Sequence, residues 1–138
     1  MMDFNAPIST IMTSEVATVS PKDRLEVVKK LFDENKIHHI PVIRFNGIVG
    51  LISKSDFLLF QRIPRTEMDR FTEETRLKAF RVEEVMVTDL KTLSPSDPIQ
   101  KAIDIFVENN FHCLPLVEED TFKGIITTMD IIKMLNKQ

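Results

Sequence analysis

Gly50-Leu51-Ile52-Ser53-Lys54-Ser55-Asp56 and Gly124-Ile125-Ile126-Thr127-Thr128-Met129-Asp130 are one phrase written twice: glycine, two apolar residues, a hydroxyl, two variable positions, an aspartate. The copies lie 74 residues apart and use two of the three glycines in the chain. The register they fix extends without a gap. Residues 11–58 laid on 85–132 give 13 identities in 48 positions, where unrelated sequences would share about three. Met12/Met86, Thr18/Thr92, Pro21/Pro95, Asp23/Asp97, His38/His112, Pro41/Pro115 and both motif ends are among them. Many other pairs exchange one apolar residue for another, as a shared core requires. An internal repeat therefore organises the protein.

Each repeat reads as β-α-β-β-α. Thr18 and Thr92 lie in short extended segments, a further strand in each repeat. Ser20-Pro21-Lys22-Asp23 and Ser94-Pro95-Ser96-Asp97 read as helix starts, with serine as N-cap, proline first in the helix and aspartate closing a capping box. Leu25, Val28, Leu31 and Phe32 then share one helical face, and Ile99, Ala102, Ile105 and Phe106 repeat it. Asn35 and Asn109 are placed where a left-handed C-cap is expected. Strands follow at Ile40–Ile43 and Leu114–Val117. The first hairpin is expected to turn at Asn46-Gly47, the second through a longer acidic loop, Glu118–Phe122. Strands at 48–53 and 123–127 lead to a second helix near each aspartate. Met12 and Met86 mark short helical lead-ins. The expected division is residues 8–60, a helical connector 61–84 carrying alternating charge, and residues 85–135.

Composition narrows the class of function. At 138 residues with 43% hydrophobic content the chain can bury a core or two small ones. No apolar run reaches the length of a membrane span, and residues 1–10 lack the pattern of a signal peptide. One cysteine, Cys113, allows no intrachain disulfide, which points to the cytoplasm. A net charge of −3 argues against a nucleic-acid partner. Three histidines without a converging cysteine or carboxylate cluster do not make a metal site. No glycine-rich phosphate loop or nucleophile elbow is present, and Cys113 has no arrangement that would make it a nucleophile.

With two units, each closing on Gly-h-h-Ser/Thr-x-x-Asp and each carrying an apolar-Pro-apolar strand (Ile40-Pro41-Val42 and Leu114-Pro115-Leu116), the chain resembles a tandem pair of cystathionine-β-synthase (CBS) domains, a Bateman module. The resemblance covers nearly all of residues 8–135. It implies an α/β (α+β) fold of two pseudo-symmetric β-α-β-β-α units packed sheet to sheet, with clefts between the units that take adenosine-containing ligands. It also implies a regulatory role rather than catalysis, and a homodimer whose contacts include the apolar helices after each aspartate.

The resemblance implies that Asp56 and Asp130 accept hydrogen bonds from ribose hydroxyls, with Ser53 and Thr127 beside the ribose-phosphate. Read as residues, Ser53-x-x-Asp56 and Thr127-x-x-Asp130 are equally capping boxes. His38 and His112 match a basic position that reaches phosphate in some family members. His39 stands where arginine is frequent, while Cys113 departs from the pattern and offers no charge. The bland reading of these histidines is a polar approach to a strand. Thr18 and Thr92 match ligand-contact positions and also suit a strand. Ile40 and Leu114 would flank the adenine or simply fill the core. Arg44, Lys54, Arg65 and Lys123 are the cations available for a phosphate. The expected ligand is AMP, ADP, ATP or S-adenosylmethionine, bound by a stand-alone CBS pair that signals in trans to an effector protein. The alternative is a ligand-free interaction or scaffolding module with vestigial clefts.

Overall fold

The computed structural model describes residues 3–62 and 73–137. The expected connector is seen only in part: Arg65, Glu67, Met68, Asp69, Arg70 and Phe71 lie outside the described residues. In chain order the elements are α1 (Leu25–Glu34), β1 (His39–Arg44), β2 (Gly47–Ser53), α2 (Lys54–Arg62), α3 (Glu73–Ala79), α4 (Ile99–Glu108), β3 (Cys113–Glu118), β4 (Thr121–Thr127) and α5 (Thr128–Asn136). Short 3₁₀ turns at Ile8–Thr10 and Val82–Glu84 form the lead-ins. The sheets are two-stranded, β1-β2 and β3-β4. The mixed helix and strand content and the two small sheets agree with the expected fold class.

The chain folds into two compact units that interleave the repeats. The first gathers the described residues of Met1–Val16, Asn46–Ile48 and Leu90–Gln138; the second gathers those of Ala17–Phe45 and Val49–Asp89. Each unit is thus the body of one repeat with the lead-in of the other. Backbone hydrogen bonds hold the exchange in place, in matching sets. In the first unit Ile8 N–H donates to Asp97 O at 2.8 Å, Ser9 N–H to Pro95 O at 2.9 Å, and Ile99 N–H to Ala6 O at 3.0 Å. In the second unit Val82 N–H donates to Asp23 O at 2.8 Å, Glu83 N–H to Pro21 O at 3.0 Å, and Leu25 N–H to Phe80 O at 3.1 Å. Every residue of one set stands 74 positions from its counterpart. The lead-ins also enter the cores. Ile8 is fully buried with Leu93, Ile99, Leu114, Leu116 and Ile126; Val82 is fully buried with Leu25, Val28, Ile40, Val42 and Phe57. Burying such a side chain stabilises by about 1.5–3 kcal/mol.

This exchange corrects the expected helix starts. Ser20–Asp23 is a turn closed by Ser20 N–H donating to Asp23 Oδ2 at 2.8 Å, and Ser94 N–H donates likewise to Asp97 at 2.8 Å. The carbonyls of Pro21 and Asp23 are taken by the lead-in, so they do not begin a helical ladder. The helices start at Leu25 and Ile99, after Arg24 and Pro98 in extended conformation. Asn35 is extended (φ −130°, ψ 148°), not left-handed; its side-chain amide closes the helix end by donating to Leu31 O at 2.9 Å. Asn109 repeats this on Ile105.

Both hairpins turn through two residues. Phe45 and Asn46 have φ of 52° and 66°, Glu119 and Asp120 have 50° and 63°. The first turn therefore lies one residue before the expected Asn46-Gly47, and the expected long acidic loop is a tight turn of the same kind. Two positive φ values in succession give the twist that suits a hairpin, at some cost for Phe45 and Glu119. In place of a further strand, each repeat has a single parallel bridge, Val19 to Val42 and Leu93 to Leu116.

The motif glycines are where the exchanged lead-in crosses the second strand of each hairpin. Leu51 and Val87 exchange backbone hydrogen bonds at 3.0 and 2.9 Å, and Ile125 and Thr13 exchange theirs at 2.9 and 2.9 Å. A Cβ on Gly124 would lie 2.5 Å from the Thr13 carbonyl oxygen, while one on Gly50 would lie 2.4 Å from Met86 Sδ. The first obstacle is backbone pinned by two hydrogen bonds; the second is mainly a flexible side chain. Gly124→Ala is expected to destabilise by about 2–3 kcal/mol and Gly50→Ala by about 1 kcal/mol. Urea midpoints measure both; an equal loss would contradict the difference in obstacle.

Candidate functional site

Each motif spans a strand end and a helix start. In the first unit Thr127 closes β4 and caps α5. Its hydroxyl accepts from Asp130 N–H at 3.2 Å and donates to Asp130 Oδ2 at 3.1 Å, and Oδ2 also accepts from Thr127 N–H at 2.9 Å. Both halves of a capping box are therefore present. The other carboxylate oxygen, Oδ1, accepts from the Thr13 hydroxyl at 3.3 Å. Asp130 is half-buried and uses both oxygens within its own unit.

The second unit holds the same motif in a different state. Ser53 Oγ accepts from Asp56 N–H at 3.1 Å, and lies 3.3 Å from Ser55 Oγ. Asp56 is exposed, and among the described residues no group donates to its carboxylate. The residue standing where Thr13 stands is Val87, which has no hydroxyl to offer. The two aspartates are identical in sequence position and unequal in engagement. Thr13 was not singled out by motif; the pair Thr13/Val87 at the repeat offset carries the signal, and only the exchange of lead-ins brings it to Asp130.

The other candidates divide along the same lines. His38 and His112 are exposed, and their backbone carbonyls accept from Lys54 N–H at 2.8 Å and Thr128 N–H at 3.1 Å, tying each to the first residue of α2 or α5. His39 is half-buried at the start of β1. Thr18 and Thr92 are exposed neighbours of the buried bridge residues Val19 and Leu93, as strand alternation requires. Ile40 and Leu114 are fully buried in their cores and present a ligand with backbone only. Arg44 lies over the Phe45 ring at 5.1 Å, and Lys123 is exposed. Arg65 lies outside the described residues.

Cys113 stands where the first repeat has His39. It pairs with Thr127 across β3-β4 and is buried. Burial, then the negative charge of Asp130, pushes its thiol from an ordinary 9.0 up to about 12. Such a thiol offers neither a cation to a phosphate nor a nucleophile. Among the described residues no three His, Cys, Asp or Glu side chains converge on a metal-sized space, and no helix is long and apolar enough to cross a membrane.

A family profile for the CBS domain matches residues 8–62 and 82–137. The chain is 31% identical over 134 residues to MJ1225, an uncharacterized protein of Methanocaldococcus jannaschii, spanning 96% of this chain and 48% of that one. The crystal structure of MJ1225, proposed there as an archaeal homolog of g-AMPK, superposes with a TM-score of 0.80 at 29% identity, covering 97% of this chain and 49% of that one. Cyclic di-AMP receptor B of Bacillus subtilis is 33% identical over 133 residues, 92% of this chain and 83% of the receptor. The chain spans about half of MJ1225 and about a fifth (22%) of a similar inosine-5'-monophosphate dehydrogenase from Thermoplasma acidophilum.

The Cys113 environment has a pH consequence. The folded thiol titrates above its unfolded value, so its contribution to stability is whole below about pH 9.0 and is lost as pH rises toward about 12. Wild type is expected to lose stability over that window more steeply than Cys113→Ala, with no tyrosine in the chain to share it. Native protein at pH 8 should also resist iodoacetamide until urea unfolds it. Rapid native alkylation, or parallel alkaline profiles, would contradict this.

Proposed function

The chain belongs to the CBS-domain family, and on that premise we propose that it is a regulatory sensor binding an adenine nucleotide (AMP, ADP or ATP) or a related adenosyl ligand. The observation that carries this reading is Asp56. Its carboxylate is exposed at the first turn of α2, accepts no hydrogen bond among the described residues, and sits beside the Ser53 hydroxyl. One carboxylate can accept from two vicinal ribose hydroxyls at once, and a helix N-terminus favours an anion nearby. His38, exposed at the approach to β1, is a candidate partner for a phosphate. The cyclic di-AMP receptor and the g-AMPK homolog among the similar proteins support an adenosyl ligand class.

In this reading the protein acts in the cytoplasm as a homodimer and passes ligand binding to a partner protein in trans. It has no catalytic role, because binding or capping accounts for each candidate residue. Binding shifts the partner-competent state by no more than its differential affinity for that state. A second reading is favoured locally by one observation. Asp130 is fully engaged as a cap and by Thr13, as in a module whose motif is structural. The two motifs then differ: the Asp56 motif binds and the Asp130 motif caps.

Calorimetric titration of nucleotide-stripped protein with AMP, ADP, ATP, S-adenosylmethionine and cyclic di-AMP tests this. Micromolar binding to one of them is expected. Asp56→Ala should weaken it about tenfold or more without lowering the melting temperature. Asp130→Ala should destabilise by about 1 kcal/mol through the lost cap. Silence toward all five ligands would favour the interaction module.

A further inference from the structure

The second unit has a groove of about 340 Å³ lined from α1 and α2, within the size range of small-molecule sites. Its apolar part is largely aromatic. Phe32 and Phe57 lie with ring centroids 5.6 Å apart, tilted by 41°, and Leu58 flanks them. Three charged side chains also line it: Lys29, Asp33 and Lys54. Lys29 pairs with Asp33 one helical turn on, so these two charges cancel. Lys54 is half-buried, and its ammonium group has no partner among the described residues. It is also the first residue of α2, where a positive charge opposes the helix dipole. The other repeat shows that the fold does not require this cation. At the offset of 74, Thr128 replaces Lys54, while Phe106, Ile131 and Ile132 keep the apolar part.

We propose that this groove is a second ligand site, one that takes a small aromatic monocarboxylate with its ring on Phe32, Phe57 and Leu58 and its carboxylate on Lys54. Charge sets the class. Lys29 and Lys54 against Asp33 leave the lining with one net positive charge, which a single negative charge completes. A dianion such as a phosphate monoester would carry a second charge into reach of Asp33. A neutral apolar ligand would cover Lys54 without pairing it, and a desolvated charge without a partner is costly. A carboxylate accepts a charge-assisted hydrogen bond from the ammonium. It is also favoured by the positive end of α2, which the lysine alone opposes. The proposal does not rest on the nucleotide reading and makes no use of Asp56.

The chain has no tryptophan or tyrosine, so the emission of indole-3-acetate reports its own binding without a protein background. Titration with the full chain is expected to saturate. The affinity should exceed that of indole-3-acetamide, which keeps the ring and lacks the charge, by at least about tenfold. Lys54→Met should remove this preference while leaving the amide's affinity unchanged, and Lys54→Arg should retain it. Lys30→Met, at an exposed lysine of α1 outside the groove, should change nothing. Leu58→Glu, at an exposed lining position, should abolish binding of the acid, whereas Asp56→Ala should leave it intact. Equal affinity for acid and amide, a preference that survives Lys54→Met, loss of binding in Lys30→Met or Asp56→Ala, or no binding of either probe at millimolar concentration would overturn the proposal.

Discussion

Each repeat leaves backbone groups that it cannot satisfy by itself, and the lead-in of the other repeat satisfies them. A buried carbonyl or amide without a partner costs about 1–3 kcal/mol, and a lone two-stranded hairpin is marginal in water. Here the carbonyls of Pro21 and Asp23 are met by Glu83 and Val82, those of Pro95 and Asp97 by Ser9 and Ile8. The hairpins' second strands gain a short bridge from the same segments, at Leu51 with Val87 and Ile125 with Thr13. The glycines of the repeated phrase follow from this constraint. They stand where the exchanged segment approaches too closely for a side chain.

The exchange also explains why two equal motifs do unequal things. It delivers residue 13 to one aspartate and residue 87 to the region of the other. A hydroxyl at the first position ties Asp130 to its own unit; a valine at the second has no hydroxyl to offer Asp56, whose carboxylate accepts nothing among the described residues. The buried Cys113 thiol, in place of histidine, further distinguishes the Asp130 side. A small change in the lead-in of one repeat thus alters the chemistry at the motif of the other. Duplicated modules can divide labour this way without altering the motif itself.

Much of this was legible in the sequence. The repeat offset, the apolar faces of α1 and α4, the strands around Pro41 and Pro115, and the placement of both motifs at strand–helix junctions follow from periodicity and glycine spacing. The helix starts were not legible. Ser20-Pro21 and Ser94-Pro95 have every local mark of an N-cap, and a segment about 60 residues or more away in sequence competes for their carbonyls. The turn at Glu119-Asp120 was hidden because glutamate is a poor marker of positive φ. The Thr13–Asp130 contact was hidden because nothing local joins residues 117 apart. For the helix starts and the Thr13–Asp130 contact the missing information was the exchange of lead-ins, a long-range event that local propensity does not encode.

The central functional claim is that a carboxylate of the repeated motif reads a pair of ribose hydroxyls. The most direct measurement compares the affinity of the best-binding nucleotide with that of its 2',3'-dideoxy analogue, which keeps base and phosphate. Loss of hydrogen bonds to a charged acceptor is worth about 1.5–3 kcal/mol each, so the expected result is a fall in affinity of at least about tenfold, with little further loss in Asp56→Ala. Equal affinity for the two nucleotides would contradict the claim and leave the motif aspartates as helix caps.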